Sequence, residues 1–254
     1  MTDNRSKPTG TFQPFNPNIP SRFYIRNLPH WRQRGATYFV TLRQDDSIPA
    51  KVLAEWLDIR QRWYRVHGLD VKLKEPHSDQ FNLIYSQIPE GVRRAFERQQ
   101  ARMLHEELDR SHGSCVLRHG PPRKTMLDSL AHFHGERLWL GDAVVMPNHV
   151  HALITPIGEY EVEDILGSIK KWSSRLIGEW LGQQDAALHP SGPNHNKPRF
   201  WQHESYDRIV RDVAELTVFR RYIANNPGQA RIQAGSYEHI TAPWMDAFAK
   251  RPPL

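Results

Sequence analysis

The chain of 254 residues contains one cysteine, Cys115. A disulfide framework within the chain is thereby excluded, as is a thiolate zinc cluster built by one copy, so any metal must be held by histidine, carboxylate or amide. No stretch approaches the ~18 uninterrupted apolar residues of a membrane span. The first thirty residues carry Asp3, Arg5, Lys7 and several prolines but no apolar run, so no signal peptide and no membrane partner are expected, and the chain reads as a cytoplasmic protein. It also lacks a glycine-rich phosphate loop, so no nucleotide cofactor is expected. Internal repeats are missing too. Hydrophobic residues still make up 39%, which permits a core of ordinary size.

What the chain has is basic charge. Lys plus Arg total 34 against 28 for Asp plus Glu, giving +6, with 14 histidines in addition. Cations spaced along a phosphate backbone gain Coulomb energy and release condensed counterions, so a polyanionic partner fits, as does a merely basic enzyme.

Residues 1–20, rich in Pro, Asn, Thr and Ser, are expected to form a flexible arm. Arg22 to Arg34 mixes guanidinium and aromatic side chains, among them Arg26 and Trp31, and reads equally as a contact for unpaired bases or as a clasp across the domain. Ala36–Arg43 is β-branched and aromatic, a buried strand. Helical spacing of apolar residues follows over 49–67 and again from Pro89 to Leu108, with Val71–Ser86 between them read as a loop. Ser114–Leu117 has strand character. A helix opened by Pro121-Pro122 is stopped at Gly135. Arg137–Met146 and His149–Thr155 flank the turn residues Pro147-Asn148 and read as an antiparallel hairpin. A helix over 162–181, a loop over 183–197, an extended segment over 200–211 and a helix over 213–225 ended by Pro227-Gly228 complete the pattern. The expectation is an α+β fold: a ferredoxin-like antiparallel sheet with helices on one face. It occupies 21–235 as one domain, with a helical insertion at about 45–112 and a C-terminal tail over 236–254.

Residues two apart on a strand face the same way, so His149 and His151 can address one cation while Val150 points into the core. A bare His-x-His is weak evidence; His132-Phe133-His134 repeats it in a helical segment, where the two rings diverge. On a helix Tyr222 and Asn226 share a face, so a phenol and an amide oxygen can meet the histidines. Two neutral imidazoles and an amide suit Mg²⁺ or Mn²⁺ bridged to a substrate phosphate, beside which Tyr222 could attack phosphorus. The plain alternative is a core tyrosine and an asparagine that caps a helix.

Met146-Pro147-Asn148-His149-Val150-His151, the segment Trp201–Arg211 and Arg221-Tyr222-Ile223-Ala224-Asn225-Asn226-Pro227 resemble the REP-associated tyrosine transposases, in the single-tyrosine branch of the HUH nucleases. Asn27-Leu28-Pro29-His30-Trp31 and Gly35–Thr41 resemble that family's opening. The resemblance implies an HUH nuclease fold and an enzyme that binds single-stranded DNA with hairpins, palindromes of the REP kind, and nicks beside them using a metal. It makes Tyr222 the nucleophile that joins a 5′ phosphate, His149 and His151 the paired histidines, and Asn226 the third ligand. Such a protein would be nucleoid-associated when bound to DNA, as a single copy or a homodimer. Tyr206 stands as a second candidate nucleophile. Arg26, Lys170, Lys171, Arg175, Arg208, Arg211 and Arg221 are expected at the DNA surface, with Arg220 near the site and Trp172 or Trp201 stacking on a base. Two other readings share these residues: a hairpin-binding protein that no longer moves DNA, and a phosphodiesterase in which water attacks and Tyr222 is structural.

Overall fold

A computed structural model describes residues 10–25, 29–69, 79–188 and 199–249. Strands β1 (Ser21–Ile25) and β2 (Pro29–Gln33) form a two-stranded ribbon. Strand β3 (Tyr38–Arg43) then enters a five-stranded antiparallel sheet with β4 (Leu138–Val145), β5 (His149–Pro156), β6 (Tyr206–Ile209) and β7 (Glu238–Ile240), in the order β6-β3-β5-β4-β7. Helices α1 (Ala50–Val66), α2 (Asp79–Gln87) and α3 (Glu90–Leu108) form the insertion, followed by α4 (Gly120–Ala131), α5 (Val162–Leu188) and α6 (Val213–Gln229). The α+β antiparallel fold is as expected.

Alternation along the strands divides the core in two. Tyr38, Val40, Leu42, Val150, Ala152 and Ile154 face one way and bury against α4 and α5. Phe39, Val144 and Leu153 face the other way, toward Leu216 and Ile223 of α6. Helices therefore cover one face as a pair, and α6 lies on the opposite face; the periodicity of a strand fixes which residues share a side but not which helix covers it. A bulge shifts the β4 register between Leu140 and Ala143. There Gly141 leaves no room for a Cβ, which would lie 2.6 Å from Met245 Sδ.

Several boundaries depart from expectation. Within the segment read as a loop, 79–87 is helical because Phe81, Tyr85 and Ile88 line one side and pack with Tyr64 and Phe96. Ser114–Leu117 is no strand: Cys115 takes φ +50°, a single 3-10 turn follows over Val116–Arg118, and the Leu117 amide donates to the Pro147 carbonyl at 3.0 Å. Helix α5 continues through 183–188 of the expected loop. Helix α6 runs past Asn225 and contains Pro227. A proline there removes the amide that would bond to the Ile223 carbonyl. His239 Nε2 donates to that carbonyl instead, at 3.1 Å, so the lost bond is replaced from β7.

That strand lies in the expected tail, so residues 236–249 belong to the fold: β7 closes the sheet edge and Met245 is fully buried. The arm is likewise tied down over its described part. Phe12 is buried, Thr37 N donates to Gln13 O at 2.7 Å, and Phe15 N donates to Val210 O at 2.9 Å. Among the described residues no helix is long and apolar enough to cross a membrane.

Candidate active site

One row across the sheet, Tyr206–Thr41–His151–Val144–His239, is set by strand register. His151 lies near its middle, and His149, two residues back on β5, has the same facing, with ring centroids 4.6 Å apart. Helix α6 crosses above. Its start is fixed by Asp212, whose side chain accepts from Glu215 N at 2.7 Å, while the Glu215 carboxylate accepts from the amide of Arg211, the residue before the cap, at 2.7 Å. From this start Tyr222 and Asn226, one turn apart, both face β5. Tyr222 Oη lies 3.4 Å from His151 Nε2, and Asn226 Nδ2 donates to Tyr222 Oη at 3.1 Å. The four residues singled out from the sequence thus occupy one cluster.

The hydrogen bonds around them decide which atoms are available. Asn148 Nδ2 donates to the His112 carbonyl at 2.9 Å, so its oxygen faces His149 Nδ1 at 2.7 Å. An amide oxygen can only accept, and Nδ1 therefore carries the proton and Nε2 a lone pair. That Nε2 is buried and without a partner among the described residues. Asn226 behaves in parallel. Its Nδ2 donates both to Tyr222 Oη and to Asp109 Oδ1, at 2.9 Å, and its Oδ1 is buried and unpartnered. Two lone pairs are left unsatisfied in one pocket, an arrangement that costs free energy unless a cation takes them.

Burial keeps the imidazoles neutral. It pushes His149 down to about 3, with His105 adding to the shift and Asn226 opposing it, and it holds His151 well below the usual histidine range. Tyr222 is held above the ordinary phenol range, by burial first and then by the Asp109 carboxylate and Tyr206. Two neutral imidazoles and an amide oxygen are a donor set a divalent cation can use, and the orphaned atoms fit that role.

Two neighbours were not singled out from the sequence. His105 and Asp109, one turn apart at the end of α3, face Tyr222 and Asn226: the His105 ring stacks on Tyr222 at 5.1 Å and stands edge-on to His151 at 5.3 Å. Their i, i+4 spacing was a visible signal; it resembled any charged face of an amphipathic helix. Tyr206 lies 5.5 Å from the His105 ring, and burial pushes its phenol up to about 12. His134 accepts from Leu140 N at 3.0 Å, and so the second His-x-His serves the turn before β4.

The expected DNA contacts separate into exposed and engaged groups. Lys171 and Arg175 are exposed on α5, where Arg175 lies 4.5 Å over the ring of Trp172, itself 55% exposed. Arg221 is exposed on α6. Lys170 instead donates to the carbonyls of Gln202 and His203 at 2.9 and 3.0 Å, and burial lowers it to about 8. Arg208 is paired with Glu215 at 2.7 Å. Together with Arg211 it lines a cleft between β6 and α3 that also holds Trp31 and Phe96. Arg220 is no surface cation: it is fully buried and paired with Asp142 and Asp246, each at 2.7 Å. Trp201 is also buried, donating to Ser173 Oγ at 2.9 Å, and cannot stack on a base. In the ribbon, Arg32 is buried against Asp207 and Glu163, which favours the clasp for that residue. Arg26 lies outside the described residues.

Residues 134–226 match the family model described as "Transposase IS200 like". The matched stretch holds His149, His151, Tyr222 and Asn226, and ends before β7; α3 lies outside it. Among solved structures, that of a REP-associated tyrosine transposase bound to a REP hairpin is similar at 12% identity, covering 82% of this chain and 71% of that one, with a TM-score of 0.37. No curated protein sequence matches.

Proposed function

We propose that this chain is a metal-dependent single-stranded DNA endonuclease and strand transferase that recognises palindromic hairpins and cleaves through a covalent 5′-phosphotyrosine. The observation that carries this reading is the placing of the Tyr222 hydroxyl 3.4 Å from His151, beside the unpartnered lone pairs of His149 Nε2 and Asn226 Oδ1. The match of 134–226 to the IS200-like transposases supports it.

His149, His151 and Asn226 would hold Mg²⁺ or Mn²⁺, which when bound supplies charge that polarises the scissile phosphate and favours loss of the phenol proton. The chain's own residues do the rest. Asn226 donates to Tyr222 Oη and so fixes one lone pair, leaving the hydroxyl oriented toward the β5 side of the site. Tyr222 Oη attacks phosphorus, an O–P bond to tyrosine forms, and the bond from phosphorus to the 3′ oxygen breaks. The phenol loses one proton and the departing 3′ hydroxyl gains one, which balances the step. The phosphotyrosine conserves the energy of the broken bond, and a later 3′ hydroxyl can reverse the chemistry and rejoin a strand without ATP. Lys171, Arg175 and Arg221, exposed and cationic, would hold phosphates, with Trp172 offering a face to an unpaired base.

A denaturing gel with a labelled hairpin oligonucleotide and Mg²⁺ or Mn²⁺ tests this. A DNA band shifted covalently onto protein is expected. Cleavage without an adduct would make water the nucleophile, and binding without cleavage would leave a hairpin-binding protein.

A further inference from the structure

The insertion helps to build a cleft that the chemistry above does not use. It lies between α3 and β6, with Arg60 and Tyr64 of α1 also in its wall, and encloses about 180 Å³, room for one planar ring system but not for a duplex. Its apolar lining is mostly aromatic: Phe15, Trp31, Tyr64 and Phe96. Trp31 stands next to Arg32 on β2, and alternation sends the two side chains to opposite faces of the ribbon, so Arg32 makes the clasp while Trp31 lines the cleft. Five arginines, Arg60, Arg93, Arg94, Arg208 and Arg211, line it against three carboxylates. Each carboxylate is already engaged: Glu90 with Arg94, Glu97 with the Tyr85 hydroxyl at 2.9 Å, and Asp207 with His30 and Arg32. Arg211 is the opposite case. It is half-buried, and its guanidinium makes no ion pair among the described residues. Burial, and then the like charges of Arg208 and Arg94, hold it below the ordinary arginine range, against Glu215 and Glu97. An anion among these guanidiniums would relieve that repulsion. The cleft adjoins the candidate active site, since Tyr206 lines it and lies 5.5 Å from the His105 ring that stacks on Tyr222 at 5.1 Å.

We propose that this cleft is a pocket for one unpaired nucleotide of the bound DNA strand, close to the scissile phosphate, with the base against Trp31 and Phe96 and a backbone phosphate on Arg211. This rests on the reading of the chain as a nuclease of single-stranded DNA. A base presents flat π faces that stack on aromatic rings whatever its identity, and its phosphate offers acceptors that match a guanidinium fork. An apolar peptide or lipid chain would fit the rings and leave the arginines uncompensated. Gln100, buried in the same lining, can both donate and accept at the edge of a base, so the pocket distinguishes one base from another. The insertion then selects a nucleotide beside the point of cleavage.

The test uses the full chain and the labelled hairpin oligonucleotide with single-stranded flanks, in which each flanking nucleotide is replaced in turn by an abasic one. By fluorescence anisotropy, wild type should lose about 5- to 100-fold in affinity at one flank position and change little at the others. That loss should largely vanish in Trp31→Leu, whose folding circular dichroism checks, because the ring that the base would meet is already gone. Arg211→Ala should weaken intact and abasic strands alike and lower the salt dependence by about one counterion. A flat abasic scan in wild type, which needs no substitution, would overturn the pocket. So would a position-specific loss that persists undiminished in folded Trp31→Leu, which would put the base elsewhere. Thermal protection of the protein by a free deoxynucleoside monophosphate, combined with a flat scan, would make the cleft a small-ligand site and overturn the proposal too. Unchanged salt dependence in Arg211→Ala would overturn the phosphate contact. No hairpin binding by wild type at all would overturn the reading of the chain as a DNA enzyme and this inference with it.

Discussion

Arg220 and Arg221 are adjacent in sequence and identical in chemistry, and the structure assigns them opposite roles. Arg220 is fully buried; its Nε donates to Asp142 at 2.7 Å and its other nitrogens reach Asp246 and the Ala249 carbonyl. Asp142 is itself buried and accepts from Ala242 N at 2.7 Å. Removing Arg220 therefore leaves a buried carboxylate without its countercharge, a loss of about 3–5 kcal/mol. Asp246 is half-exposed and its release adds little. At ~2–4 °C per kcal/mol for a chain of this size, Arg220→Ala should melt roughly 6–20 °C lower by circular dichroism. Adding Asp142→Asn should recover part of that, since an amide oxygen still serves Ala242 N and carries no charge. Arg221→Ala should melt within about 0.5 kcal/mol of wild type, and, read by fluorescence anisotropy across a salt series, should reduce the dependence of hairpin affinity on log salt by about one counterion. An Arg220→Ala protein that melts like wild type and binds the hairpin poorly would refute the reasoning.

The ribbon gives a pH prediction. His30 donates from both ring nitrogens, to Asp207 at 2.8 Å and to Glu204 at 2.7 Å; burial opposes its charge, but the two carboxylates raise it to about 9. Because the folded value lies above the unfolded one of ~6.5, its contribution, at most about 3 kcal/mol, is complete below pH ~6.5 and is lost as pH rises through 9. Thermal melts of His30→Ala should lack the part of the decline that wild type shows in that window. His239→Ala orphans the Ile223 carbonyl beside Pro227 and should cost about 1–2 kcal/mol in chemical denaturation, while His239→Gln, which retains a donor, should cost less. Trp172→Ala should weaken hairpin binding by about 1–3 kcal/mol in anisotropy titrations if a base stacks on it, with the melting temperature unchanged.

The sequence was most informative where periodicity and turn chemistry act locally. The β4–β5 hairpin, the facing of His149 with His151 and the pairing of Tyr222 with Asn226 follow from periods of two and of nearly four. What escaped depends on partners distant in the chain. Pro227 stops a helix by every local rule, and it is tolerated because His239 supplies the missing donor. Arg220 and Trp201 read as surface groups by type and are buried because Asp142 and Ser173 await them. His105 and Asp109 lay in an insertion outside the recognisable motifs, and only the fold brings that helix over the site.

The central claim is that Tyr222 is the residue that takes the phosphate. Mass spectrometry of the protease-digested adduct between protein and hairpin DNA measures this directly. The nucleotide should map to the peptide containing Tyr222, and Tyr222→Phe should abolish the adduct while leaving hairpin affinity within a few fold. A nucleotide found on Tyr206, or an adduct that persists in the Phe variant, would contradict the account.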